Sequence, residues 1–245
     1  SSPNEKRGAL IVLGLALATG ILSKQMMLVF PLLAILFLFV TPNHRPHLRR
    51  PGFWAATLAP LIALMPPLWW NYRHGWVTFG HTLHHFNPDK RGLSRVAMRA
   101  IEFVASEAAL VTPIGYGLLL SVAAAVCLRW KHFGEREKYL AVFSAPGLVV
   151  TFGMTLRENV NANWPAVFYL SGVVLLAAWA AGAFSAGRAV DRWRPKAAIA
   201  GLWLAVIMAA VTYVGAFAIS YGAFELGRRD PLAQVRGWRS VASRV

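Results

Sequence analysis

Seven long apolar runs, roughly 8–22, 25–40, 54–70, 103–128, 139–155, 165–186 and 197–221, are separated by short polar loops rich in Lys and Arg. A helix needs about 20 mainly apolar residues to cross a bilayer, and one that is apolar all round must be surrounded by apolar groups. Of 245 residues, 57% are hydrophobic and 14% charged, and the apolar blocks are too long and too uniform for the core helices of a soluble domain. The expected fold is all-α, a polytopic membrane bundle of about seven transmembrane helices over residues 1–222. An outer-face loop at 71–100 and a basic outer-face tail at 223–245 complete the expected organisation.

The first seven residues, Ser1 to Arg7, are polar, begin without Met and run into a span with no small-residue cleavage site. They do not read as a secretory signal, and the chain is expected to start inside a longer protein. The single cysteine, Cys127, excludes an intramolecular disulfide.

If the spans alternate, the loops fall into two sets. Residues 5–7, 44–50, 129–138 and 187–196 hold thirteen Lys plus Arg in short segments, while 23–24, 71–99, 156–163 and the tail hold the other twelve. Positive charge in short loops marks the cytoplasmic side, so the second set is expected outside the cytoplasm. Basic residues spread over both faces form no single stripe, which argues against nucleic acid.

Three polar features converge on the outer side. Ser23-Lys24 joins two apolar runs too close in sequence for a real loop; its ammonium either snorkels to the interface or faces a polar cavity. The second feature, 71–99, carries Arg73, His74, His81, His84, His85, Lys90, Arg91, Arg95 and Arg99. His81, His84 and His85 stand at i, i+3 and i+4, one face of a helix, and are candidate ligands for a divalent metal. Hydrogen bonding or phosphate contact is the competing reading, since HExxH is absent and Asp89 follows Pro88 in a turn. Residues 94–107 read as an amphipathic lead-in to the fourth span, with Arg95 and Arg99 facing headgroups. The third feature, 156–165, combines Arg157, Glu158, Asn159, Asn161 and Asn163 with Trp164-Pro165 at the next span. Such a set suits a sugar or a phosphate. Glu102 and Glu107 lie near the outer interface, where a carboxylate pairs locally or serves a site.

Several chemistries are absent: there is no phosphate-binding Gly-x-x-x-x-Gly-Lys-Ser/Thr loop, no dinucleotide fingerprint and no Cys/His cluster of zinc spacing. Nothing in the chain supports energy coupling by nucleotide hydrolysis.

Three strings, Gly14 to Pro31 with Ser23-Lys24, Pro66-Pro-Leu-Trp-Trp-Asn-Tyr-Arg-His-Gly-Trp-Val-Thr-Phe79, and Asn161-Ala-Asn-Trp-Pro-Ala-Val-Phe-Tyr169, resemble in order and spacing the bacterial membrane glycosyltransferases of the dolichyl-phosphate-mannose-protein mannosyltransferase superfamily. That group includes the lipid A aminoarabinose and galacturonic acid transferases. The resemblance extends to about Tyr169. It implies transfer of a sugar from a polyprenyl-phosphate donor to a lipid or other cell-envelope acceptor on the non-cytoplasmic face of a bacterial inner membrane, among membrane lipids and without a cofactor. Cationic groups would hold the departing phosphate and a carboxylate would take the acceptor proton. Lys24 matches the lysine of the family's Ser/Thr-Lys string and is the expected donor-phosphate ligand, with Arg73, His74 and Arg157 next by position and chemistry. Asn161, Asn163 and Trp164 are the expected sugar or acceptor contacts.

The family's acidic motif, in its first outer loop, has no counterpart here. The base is therefore expected upstream of Ser1, with Glu158 and Glu107 as substitutes within the chain, and the fragment alone is expected to be inactive. The alternative is a non-enzymatic protein that binds polyprenyl phosphate or transports a lipid-linked substrate. A transporter would show matched broken helices in its two halves, whereas Pro31, Pro60, Pro66 and Pro67 have no second-half counterparts.

Overall fold

The structure is a computed structural model that describes residues 3–80 and 92–221. These are helical, with no strand among them: α1 (Pro3–Ser23), α2 (Val29–Val40), α3 (Pro51–Leu58), α4 (Met65–Arg73), α5 (Leu93–Val111), α6 (Pro113–Leu128), α7 (Glu135–Val142), α8 (Ala145–Met154), α9 (Ala166–Ala180), α10 (Arg188–Asp191) and α11 (Arg194–Ser220). His81, His84, His85 and the tail from 222 lie outside the described residues.

The chain is a helical membrane protein. Among the described residues three helices are long and apolar enough to cross a bilayer unaided: Asn4–Ser23, Pro51–Arg73 and Arg194–Ser220. The second of these is continuous through the 3-10 turn Ala59–Leu64, where buried Pro60 cannot donate to the regular ladder. Gln25–Val40 and Ala166–Ala180 are apolar but shorter. Leu32, Phe39, Leu202 and Val211 all stand exposed on these helices, where only a lipid environment makes such faces inexpensive.

Two of the seven expected spans are broken. The run at 103–128 divides at Thr112 into α5 and α6, which meet at 102°. Proline disfavours a helical conformation in the residue before it, and Thr112 sits at φ 67°, ψ 146°, its hydroxyl accepting from the Gly115 N–H at 3.0 Å. With α6 across the bilayer, a right-angle turn lays α5 along its surface, which suits the amphipathic lead-in read from 94–107. The run at 139–155 divides at Phe143-Ser144 into α7 and α8, the next helix beginning just before Pro146.

The core sits on α6 and α9. Leu119 and Phe168 pack with Phe37 of α2 and Phe143, while Val122, Val126, Leu175 and Trp179 form a second cluster nearer the other end. Against α3 lies α1, running the same way. A methyl at Gly52 would meet Leu10 at 3.0 Å, and one at Gly14 would meet the Ala56 carbonyl at 3.7 Å, so rising numbers on one helix match rising numbers on the other.

Polar contacts sort the loops into two ends. At one, Asn43 and His44 bond to Glu135 at 3.1 and 2.9 Å, and Arg129 donates to the Ala186 carbonyl at 3.1 Å. At the other, Lys24 meets Asn163 and Arg99 meets Arg157. These pairings agree with the division of the loops expected from alternating spans.

Candidate functional site

The Lys24 end is built around residues 155–165, the connection from α8 to α9. Side-chain exposure alternates along it: Arg157, Asn159, Asn161 and Asn163 are exposed, while Glu158 is buried and Val160, Ala162 and Trp164 are partly covered. Turns at both ends, with the Arg157 N–H bonded to Met154 O at 2.9 Å and the Trp164 N–H to Asn161 O, flank a short irregular stretch between them. One guanidinium and three carboxamides are thus exposed within a few residues of one another. Pro165 is fully buried, and Trp164, whose N–H donates to the Asn161 carbonyl at 2.9 Å, lies partly covered at the entrance to α9.

Lys24 reaches this strip from a sharp reversal. It is extended, at φ −152° and ψ 117°, between the end of α1 and the 3-10 turn Gln25–Leu28. Its N–H bonds to Gly20 O at 2.8 Å, and its own carbonyl accepts from Met27 at 2.9 Å. A side chain at Gly20 would come within 3.2 Å of Met27, so the missing Cβ lets the turn close. The Lys24 ammonium donates to the Asn163 carbonyl at 2.5 Å in an exposed hydrogen bond.

On α5, Arg99, Phe103 and Glu107 are buried at i, i+4 and i+8, one helix face. Arg99 is only 7% exposed and donates to the Arg157 carbonyl at 2.8 Å. The sequence expectation that it faces headgroups is corrected: the apolar stripe includes Phe103, and Arg99 lies one turn away on that same stripe. Glu107 is fully buried, and its Oε2 accepts from the Tyr169 hydroxyl at 2.6 Å, tying α5 to α9. Glu158 is 6% exposed within the strip, whereas Glu102 is exposed on α5.

Arg73 and His74 stand at the end of α4. Arg73 lies over the Trp69 ring at 5.4 Å, and His74 stacks on Trp70 at 4.1 Å with its Nδ1 2.8 Å from the Trp70 carbonyl. The described contacts tie both to their own helix. Among the described residues no group of three or more His, Cys, Asp and Glu is arranged around a metal position.

Two structural residues escaped the sequence reading. Asn71, 3% exposed, donates to Pro67 O at 2.9 Å, and its Oδ1 accepts from the Thr78 N–H at 3.1 Å. It thereby folds the turn through Gly75 and Trp76, both at positive φ; an Asn four residues before a Gly was the available signal. At the opposite end Asp191 accepts from Trp179 Nε1 at 2.8 Å, Ala186 N at 3.0 Å, Arg194 at 2.8 Å and the Ser185 hydroxyl. Burial pushes its carboxyl up, but the bonds from Ser185, Trp179, Ala186 and Arg194 outweigh that and hold it well below the usual carboxylate range. There too, the His44 and Asn43 hydrogen bonds lower Glu135.

Residues 3–70 match the family described as dolichyl-phosphate-mannose-protein mannosyltransferase, a stretch that contains the Lys24 reversal. Over 174 residues the chain is 32% identical to the lipid A galacturonosyltransferase RgtD of Rhizobium johnstonii, covering 70% of this chain and 35% of that protein. Over these stretches the chain is similar to membrane glycosyltransferases. It spans about a third of the length of the curated relative it matches. No solved structure matches the chain. The Ser-Lys string and the Asn-x-Asn-Trp-Pro string, separated by more than half of the chain, meet at one point through Lys24 and Asn163.

Proposed function

We propose that this chain is part of a membrane glycosyltransferase that moves a sugar from a polyprenyl-phosphate donor to a lipid acceptor of the cell envelope, at the Lys24 end, on the non-cytoplasmic face. The observation that carries the reading is the meeting of Lys24 with the exposed strip of Arg157, Asn159, Asn161 and Asn163. Lys24 and Arg157 supply positive charge for a departing phosphate, and such groups act most strongly where water is partly excluded. The carboxamides both donate and accept, as sugar hydroxyls require. Arg73 and His74, held on α4, stand as outer contacts for the donor phosphate. A lipid acceptor is supported by the similarity to a lipid A galacturonosyltransferase.

Glu107 and Glu158 are both buried, so neither is placed to take a proton from an acceptor at the exposed strip. We assign that role to a carboxylate outside this pair. The short loops at the Glu135 end carry the denser positive charge, which supports a cytoplasmic position for that end.

The test is Lys24→Met in the full-length protein, reconstituted with a polyprenyl-phosphate sugar and a lipid acceptor. Transfer should fall by about 100-fold or more with membrane insertion unchanged. Undiminished transfer would remove Lys24 from the site and with it the reading.

A further inference from the structure

The proposed site is a strip of irregular backbone at the edge of a membrane bundle, and something must hold its register. Three contacts do so. Lys24 grips the strip at Asn163 O, and Arg99 grips its start at Arg157 O. The third contact lies just beyond the strip, where Tyr169, four residues after Pro165, donates to Glu107. The second and third come from a single buried face of α5, two helical turns apart. That face thus spans the strip from its beginning to the helix it enters.

Glu107 is an unusual choice for mere packing. It is fully buried, and Oε1 has no hydrogen-bond partner among the described residues while Oε2 takes the Tyr169 hydroxyl. Burying a carboxylate is unfavourable, and an aliphatic residue of similar volume would fill the space between α5 and α9 at lower cost. What the carboxylate adds is a short bond of fixed direction to one hydroxyl. Tyr169 is itself 8% exposed and meets Tyr116 of α6 edge to face at 6.5 Å. The bond therefore ends on a ring that packing already holds, and it fixes the angle at which α9 leaves the strip.

We propose that Glu107 and Tyr169 are positioning residues: through their hydrogen bond α5 sets the register of residues 157–163 against Lys24 and so fixes the donor-binding geometry. Neither touches the substrate. The proposal rests on the glycosyltransferase reading for its consequence in catalysis, but not for its consequence in structure.

Both consequences can be read in the full-length protein. Tyr169→Phe deletes one hydroxyl and keeps the ring, Glu107→Leu removes the acceptor, and Glu107→Gln retains an oxygen able to accept. In transfer assays, Tyr169→Phe and Glu107→Leu should raise the donor KM about 10-fold, with kcat changed less, while Glu107→Gln stays near wild type. Separately, with Cys127→Ser and Asn159→Cys combined, a water-soluble maleimide should label position 159 several-fold faster when Tyr169→Phe is added.

Unchanged labelling and KM in Tyr169→Phe would overturn the proposal, whatever happens to its melting temperature, because the pair would then serve packing alone. Faster labelling with no transfer by any variant, wild type included, would leave the positioning role standing and sink the glycosyltransferase reading instead. If Glu107→Leu fails to insert, Tyr169→Phe still decides, since it changes no volume of consequence.

Discussion

Lys24 Nζ donates to the carbonyl oxygen of Asn163, 139 residues further along the chain. The lysine ends α1, and the asparagine stands two residues before the fully buried Pro165 that leads into α9. The ammonium thus joins the end of α1 to one end of an exposed polar strip.

Because Arg157 and Asn161 are exposed, their removal should affect binding and spare the fold. Arg157→Ala and Asn161→Ala are each expected to weaken donor binding by about 10-fold, the effect of losing one charge-assisted or well-placed hydrogen bond. Stability should stay within about 0.5 kcal/mol of wild type. Titration with the donor and a melt in the same detergent check both.

Asp191 should make stability fall in acid. Its folded value lies below the ordinary carboxylate value of about 3.9, so the stability it contributes is present above that value and is lost as pH drops toward the folded one. Melting temperatures of wild type and Asp191→Asn should converge as pH falls below about 4. At neutral pH, Asp191→Ala should cost about 1.5–3 kcal/mol.

Gly147 faces Phe168 so closely that a methyl would lie 2.3 Å from its ring. Gly147→Ala must push α8 away from α9 and should cost about 1–3 kcal/mol, read as a lower melting temperature. Gly153, with open space around its missing Cβ, is the control, and Gly153→Ala should be neutral or slightly stabilising, since alanine is the better helix former.

Thr112 holds the α5–α6 corner at a positive φ that β-branched residues rarely adopt. Its compensation is the cap that its hydroxyl provides to Gly115. Thr112→Ala loses the cap and keeps the strain; Thr112→Gly loses the cap and sheds the strain. The glycine variant should therefore be the more stable of the two by about 1–3 kcal/mol, a difference that parallel thermal melts would show.

The all-α membrane class was legible in the apolar runs, as were the Ser-Lys and Asn-x-Asn-Trp-Pro strings, because both depend on local residue order. The broken spans were harder to see. The run through Thr112 has unbroken hydropathy, and only Thr112-Pro113 marks a corner of 102°. Arg99 was misread for a related reason. An arginine on an amphipathic helix usually faces water, and no local pattern shows that a carbonyl 58 residues away will accept from it.

By itself, the sequence determined the solvent this chain folds in, the alternation of its loops between two ends, and which polar side chains stand at each end; these follow from hydropathy, helix length and the cost of burying charge. Only the tertiary structure decided that Lys24 and Asn163 touch, that Arg73 and His74 stay on α4, and that Glu107 is buried against Tyr169. Those outcomes depend on helix crossing, on the corner at Thr112 and on close approach at glycines such as Gly147 and Gly20. Each is a relation between distant segments, set by the packing of whole helices and not by the order of neighbouring residues.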